Sequence, residues 1–399
     1  MPWEINPTYL RPMRFLQPKV LYTNISPAIE NGILITEDDG TIVEILSSAE
    51  SISPEKIEKI EGSLCPGFVN THCHLELAHL KGRLTEGKGL PEFIREILAK
   101  RDVDNSNLFP AIEAADKEMW KGGIVAVGDI SNRADTINAK RKSKIFYHTF
   151  IELFDIFPEQ ADEHYANGKK LRDEYTAAGL SCALVPHAPY TVSEKLFHLI
   201  DSDKQSAQSV LSIHNQETAS ENEFFSSNSG TMFELMARVN KNLPGQCAKA
   251  ESSLRFTLDQ LKHFKSLLLV HNTCTRKEDV EFVVKNFSNI YWAFCVNANL
   301  YIENQIPPIE MLESLGAKIT LGTDSYASNW SLSIIDEINA FLKNIPHLKL
   351  ENLLRYASLN GAKFLGIEDT FGSFEKGKKP GIVCLTSGTN YLLKANRLL

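Results

Sequence analysis

The chain has 399 residues, 43% of them hydrophobic, and a formal net charge of −8 at pH 7. That length carries one large core plus a small second domain better than several equal domains. The mild acidic excess, with no basic run and no basic–aromatic stripe, argues against nucleic acid and membrane surface as partners.

Residues 19–64 read as short strands. KVLYTN, GILITEDDGTIVEIL and KIEKIEG alternate apolar and polar residues, and DDG at 38–40 marks a hairpin, so an antiparallel β element is expected here. From residue 66 the texture changes to eight short apolar runs: 66–72, 123–130, 145–154, 182–188, 210–217, 267–273, 291–297 and 318–325. Continuous Val/Ile/Leu runs alternating with amphipathic helices predict a parallel sheet buried on both faces. Eight such units over about 300 residues predict a (β/α)8 barrel of the TIM type. A doubly wound open sheet is disfavoured, because no GxGxxG follows the first run. A helical stretch at 350–366 ends the barrel, and FGSFEKGKKPGIVCL returns to turn and strand. The expected organisation is therefore residues 1–64 and 367–399 pairing into a small β-sandwich, around a barrel of residues 65–366. The polar stretch 216–255 is too long for an ordinary βα connection and is expected to be functional.

No apolar run approaches a membrane span. The opening MPWEINPTYLRPMRF lacks the apolar stretch and cleavage site of a signal peptide. Seven cysteines (65, 73, 182, 247, 274, 295 and 384) show no CxxC pairing, which reads as free thiols in a reducing cytoplasm.

The informative polar residues stand where the runs end. Run one ends in His72 and His74, run four in His187, run five in His214 and Glu217, run six in His271 and run eight in Asp324. In a barrel those ends converge on the face that holds the active site. One strand-end histidine is most simply a hydrogen-bonded core residue; five of the chain's eleven on strand ends are not. Side chains alternate along a strand, so His72 and His74 point the same way and Cys73, a small buried thiol, points the other. Two imidazoles make half a metal site, and His214 with Asp324 would complete a mixed nitrogen–oxygen set that suits zinc or ferrous iron better than magnesium or calcium.

PGFVNTHCHLE, VPHAPYT, IHNQET, VHNTC and LGTDSYASN together resemble the amidohydrolase superfamily, in its aminohydrolase and chlorohydrolase branch. The resemblance runs from about residue 60 to 385 and implies the same split β-sandwich. It implies that His72, His74, His214 and Asp324 bind one divalent ion, that Glu217 is the general acid/base, and that His271 polarises the attacking water. His187 matches a substrate-contacting histidine. Two-metal members carry a lysine at the end of strand four, where this chain has His187, so one ion is expected. CVNAN (295–299) and KGKKPGIV (376–383) depart from the usual CPxSN and GKxADLV without removing a ligand. Relatives of this kind often dimerise, so a homodimer is carried as an expectation.

The implied reaction is removal of an amino group from an aminated heterocycle, a purine-like base or nucleoside derivative, as ammonia. A metal-bound water with its pKa near 7 supplies the nucleophile. Glu217 moves the proton to a ring nitrogen, Asp324 passes one to the departing ammonia, and His271 holds the developing oxygen charge. Loss of chloride, or cyclic amide cleavage, would use the same site. A non-catalytic barrel is disfavoured because no ligand or base is missing. Substrate contacts are expected from His187, Glu76, Glu152 and Ser325. Glu76 has a local salt bridge as its alternative, and Glu152 depends on the register of its strand. His79 is expected at a surface or helix position, His148 in the barrel wall, Asn329 ordering the loop after Asp324, and Trp120 and Trp330 in packing rather than ring stacking. ENEFFSS (221–227) points to a polar or partly aromatic ligand.

Overall fold

The computed structural model describes residues 13–50, 52–102, 106–241, 250–388 and 392–399. The opening twelve residues, Cys247 and part of the long 216–255 connection lie outside the described residues.

Five strands precede the barrel: β1 (Met13–Leu21), β2 (Ile29–Glu30), β3 (Ile33–Glu37), β4 (Ile42–Leu46) and β5 (Ile57–Pro66). Eight parallel strands follow, each matching one predicted run: β6 (Phe68–Cys73), β7 (Ile124–Ser131), β8 (Phe146–Leu153), β9 (Ser181–Pro186), β10 (Val210–Asn215), β11 (Ser266–His271), β12 (Ile290–Phe294) and β13 (Ile319–Leu321). Strands β14 (Ile382–Ser387) and β15 (Leu393–Arg397) close the chain.

The small domain is one seven-stranded sheet in the order β15-β14-β5-β1-β3-β4, with β2 on β1. The two chain ends do pair: β14 runs antiparallel to β5, Ile382 opposite Pro66. Leu16, Leu21, Leu34, Ile42, Leu64, Phe374 and Ile382 form its own apolar cluster. The DDG hairpin forms, with the Asp39 carboxylate accepting from the Thr41 N–H and hydroxyl. The N-terminal element is mixed rather than purely antiparallel. The β3–β4 hairpin occupies one edge of β1, so β5 takes the other edge and runs parallel to β1, Phe15 opposite Ile57. A parallel neighbour needs a crossover, which residues 47–56 provide.

The barrel strands lie in two arcs, β6-β7-β8-β9 and β10-β11-β12-β13. Their residues are almost all buried, as strands covered on both faces by barrel packing and helices require. At one seam Cys73 and Asp324 form a parallel bridge, and the His72 carbonyl accepts the N–H groups of Thr323 and Asp324, both at 3.0 Å. At the other the His214 N–H donates to the His187 carbonyl at 2.9 Å. Gly67 makes the turn from small sheet to barrel. A Cβ there would come within 2.4 Å of Val125 Cγ1 and 2.6 Å of the Pro380 carbonyl, so no larger residue fits the close approach.

Beneath the barrel mouth lies a fully buried ion pair, Lys140 Nζ to Asp129 Oδ2 at 2.6 Å. Lys140 also donates to Ser131 Oγ and Thr149 Oγ1, and Asp129 Oδ1 accepts the N–H of Leu75, the residue after His74. Removing one partner strands the other charge away from water. Lys140→Met is expected to cost about 3–5 kcal/mol of unfolding free energy in urea denaturation; an unchanged midpoint would count against this account.

Candidate active site and metal centre

The strand ends reach the site by bending sharply. Gln216, His271, Asn272 and Asp324 all adopt left-handed backbone angles, with φ of 47°, 73°, 57° and 56°. Such angles cost free energy in non-glycine residues and persist where surroundings over-determine them. Side-chain and backbone bonds restrain Gln216, Asn272 and Asp324. Glu221 accepts the N–H groups of Gln216 at 2.8 Å and Glu217 at 3.1 Å. The Asn272 amide donates to the carbonyls of Leu269 and Ala293. Asp324 is pinned by its N–H to His72 and by Ser328 Oγ, which donates to Oδ2 at 2.5 Å. Gly322 permits this closeness, since a Cβ there would meet His72 Cβ and Cys295 Sγ at 2.9 Å each.

Nitrogens of His72, His74 and His214 lie within 4.8 Å of one another, as do polar atoms of His72, His271 and Asp324. His72 Nε2 is 3.1 Å from His74 Nε2, and Asp324 Oδ1 is 3.6 Å and 3.4 Å from them. Ligands about 2.0–2.1 Å from a tetrahedral ion stand roughly 3.3–3.4 Å apart, so this donor set fits zinc. The electrostatics agree. Burial holds the His74 and His214 imidazoles well below their ordinary pKa, hence neutral. His214 donates its Nδ1–H to the His187 carbonyl at 2.9 Å, leaving Nε2 bare for coordination. Burial pushes the Asp324 carboxyl up, but His72, His74 and His271 outweigh it and hold it below the usual carboxylate range.

Glu217 and His271 flank this cluster, Glu217 Oε1 being 3.7 Å from His271 Nε2. Burial, with the nearby charges of Asp324 and Glu221, pushes the Glu217 carboxyl well above its ordinary pKa. His271 is pushed down to about 4, chiefly by burial. Its Nδ1–H goes to Asn299 Oδ1 at 3.0 Å, and the Asn299 amide donates to Thr273 Oγ1. That fixes the tautomer and leaves His271 Nε2 as an acceptor.

A cavity of about 280 Å³ opens above these residues. His74, His214, Glu217, His271, Asp324, Ser325, Glu152 and His187 line its polar side. Glu152 therefore has the inward register. Ser325 reaches the cavity, although its hydroxyl is engaged with Ser328 Oγ and the Ala327 N–H. Glu76 takes its local alternative. It lies behind the wall, paired with Arg101 Nη2 and the Asn132 N–H, and reaches the cavity only through those two residues. His79 takes the helix position, buried in the 3-10 helix Leu75–Leu80 with its Nε2 at 3.0 Å from the Arg101 carbonyl. His148 stays in the barrel wall on Ser181, and Asn329 ties Thr323 to Glu337. Trp120 packs under the Arg397 guanidinium, and Trp330 donates to Glu86 outside the cavity.

The described part of the 216–255 connection is largely helical, not a loop: Ala219–Ser227, Gly230–Val239 and the start of Ser253–Gln260. Phe224 and Phe225 face inward against Phe233 and Phe256, and no residue of ENEFFSS lines the cavity. The apolar cavity wall comes instead from Phe93, Ile94 and Ile97 on the helix Leu90–Lys100, and from Leu235, Met236 and Val239 on the second insertion helix. Sequence reasoning missed this wall, together with Asn299, Glu221 and the Asp129–Lys140 pair. Asn299 and Glu221 had a signal, each lying inside a quoted stretch, CVNAN and ENEFFSS, without being singled out.

A parallel barrel with a buried nitrogen–carboxylate donor set at its C-terminal mouth is the architecture of a metal-dependent hydrolase. The chain belongs to the amidohydrolase family, whose model matches residues 63–397. It is 27% identical over 323 residues to an adenosine deaminase of Helicobacter pylori, covering 79% of this chain and 77% of that one. It is 24% identical over 371 residues to a 5-methylthioadenosine/S-adenosylhomocysteine deaminase of Saccharophagus degradans, covering 87% and 77%. The fold matches Helicobacter pylori aminofutalosine deaminase in complex with methylthio-coformycin, with a TM-score of 0.79, 24% identity and 94% and 92% coverage. It also matches zinc-bound atrazine chlorohydrolase of Arthrobacter aurescens, with a TM-score of 0.70, 18% identity and 93% and 86% coverage. The chain is a hydrolase of carbon–nitrogen bonds outside peptides. Among the described residues no helix is long and apolar enough to cross a membrane.

Proposed function

We propose that this chain is a mononuclear zinc aminohydrolase that converts the amino group of a purine nucleoside, or a close derivative, to a carbonyl with release of ammonia. The observation that carries it is the meeting of His72, His74, His214 and Asp324 beside a buried Glu217 and His271. When bound, zinc brings the pKa of a water close to 7. His271 Nε2, left as an acceptor by its Nδ1–H bond to Asn299, would hold and orient a water toward the ring carbon. Glu217, its pKa raised by burial, carries the proton that the ring nitrogen gains. Asp324 relays a proton to the leaving amine. The balance is one water consumed, one C–N bond replaced by C=O, and one ammonia released.

Two further features support the substrate class. The deaminase relatives named above act on adenosine-like nucleosides. The apolar wall of Phe93, Ile97 and Met236 suits a nucleoside whose sugar carries an apolar group. The six described cysteines are free, consistent with a cytoplasmic enzyme. The test is elemental analysis of the purified protein with an ammonia-release panel of adenine, adenosine and 5′-methylthioadenosine, beside a chlorinated ring assayed for chloride. The expected result is about one zinc per chain and ammonia release, with 5′-methylthioadenosine preferred over adenine. A protein without metal after zinc supplementation would sink the proposal.

A further inference from the structure

Glu152 ends β8 and is 6% exposed. Its Oε2 accepts from Asn132 Nδ2 at 3.1 Å. Its Oε1 has no hydrogen-bond partner among the described residues. The nearest donor, His214 Nδ1, stands 3.5 Å away and its proton is committed to the His187 carbonyl at 2.9 Å. His187, at the end of β9, bonds Thr191 Oγ1 through Nδ1 at 2.6 Å and stands beside Glu152 on the same wall. Both residues line the cavity, and polar atoms of Glu152, His187 and His214 fall within 4.8 Å of one another. A buried acceptor without a donor is costly. This wall therefore lacks a donor at Glu152 Oε1, which the ligand must bring.

We propose that Glu152, with His187 beside it, is the specificity-determining acceptor for the vicinal hydroxyls of the substrate's sugar. A diol offers two O–H donors at neighbouring positions. A purine ring offers mostly acceptors, and its one amino group is engaged at the metal. The inference rests on the nucleoside reading above and narrows it: the enzyme takes a ribosyl compound in preference to the free base or a dideoxy analogue.

The experiment compares adenosine with 2′,3′-dideoxyadenosine in the zinc-loaded wild type and in Glu152→Gln. In the variant, the Asn132 donor holds the amide oxygen, so the NH₂ faces the cavity and the acceptor for the hydroxyl protons is gone. Burial raises the Glu152 carboxyl to about 7, so the comparison is run near pH 8.5, where the wild type is expected to favour adenosine in kcat/KM by about 10–100-fold, the range for a hydrogen bond to a charged group. The variant is expected to lose most of that preference, through KM. Thermal melting and zinc content check its fold, and Glu152→Asp, which keeps the charge but retracts it, should retain part of the preference.

Three results overturn the inference while the deaminase reading stands: a wild type that treats both nucleosides alike, an equal loss on both in the variant, or a second bound metal that the variant loses. The last would make Glu152, His187 and His214 a cation site. If the wild type deaminates only free bases, or no nucleoside at all, the nucleoside reading itself falls.

Discussion

Glu217→Gln lowers kcat by about 10²–10⁴, the usual worth of a positioned general acid/base, while zinc content and fold are retained. Gln keeps the size and the hydrogen-bonding outline of the side chain but cannot carry the proton. The side chain is buried, and its N–H is held by Glu221, so the backbone that presents it does not depend on its charge. A side chain supporting structure alone would be replaced by Gln without loss of rate. The measurement is single-turnover ammonia release with elemental analysis of the same samples. Turnover near that of the wild type would remove Glu217 from the mechanism.

His214→Ala tests the proposed ion site, and its effect is expected on two readouts. Its Nδ1 is spent on the His187 carbonyl, so the ring is fixed and Nε2 is the atom lost to coordination. Zinc content should fall to a small fraction of one per chain, and activity to background. Ligand binding to the folded state adds stability of about 4 kcal/mol when the ion is at a thousand times its Kd. The wild type treated with a chelator should therefore melt at a lower temperature, near that of the zinc-free variant. Equal melting temperatures of loaded and chelated wild type would show that the ion contributes nothing to the fold.

The barrel was legible because its strands are buried on both faces, and such strands write themselves as continuous apolar runs. The strand-end histidines were legible for a related reason: a polar residue at the end of an apolar run has few places to go other than the mouth. The parallel pairing of β5 with β1 was not legible. Alternation shows which face a strand buries, not which edge it joins, and the crossover 47–56 decides that. The apolar wall was hidden because Phe93, Ile97 and Met236 have the spacing of any amphipathic helix. The sequence does not say whether such a face meets core or cavity. Glu76 and Glu152 show the same limit in polar residues. Both were placed near the mouth, and only geometry turns one toward Arg101 and the other toward the cavity. Asn299 reaches His271 across 28 residues of chain, a distance at which no spacing rule applies.

The seams described above give the site a second meaning. His72 and His74 belong to one arc of strands, and His214 and Asp324 to the other. The backbone of His72 carries one seam, and that of His214 the other. A chain that has paired each arc but not joined them holds two half-sites, neither able to retain an ion. Occupancy would thus report ring closure, and zinc would act as a rivet between two leaves of the same sheet.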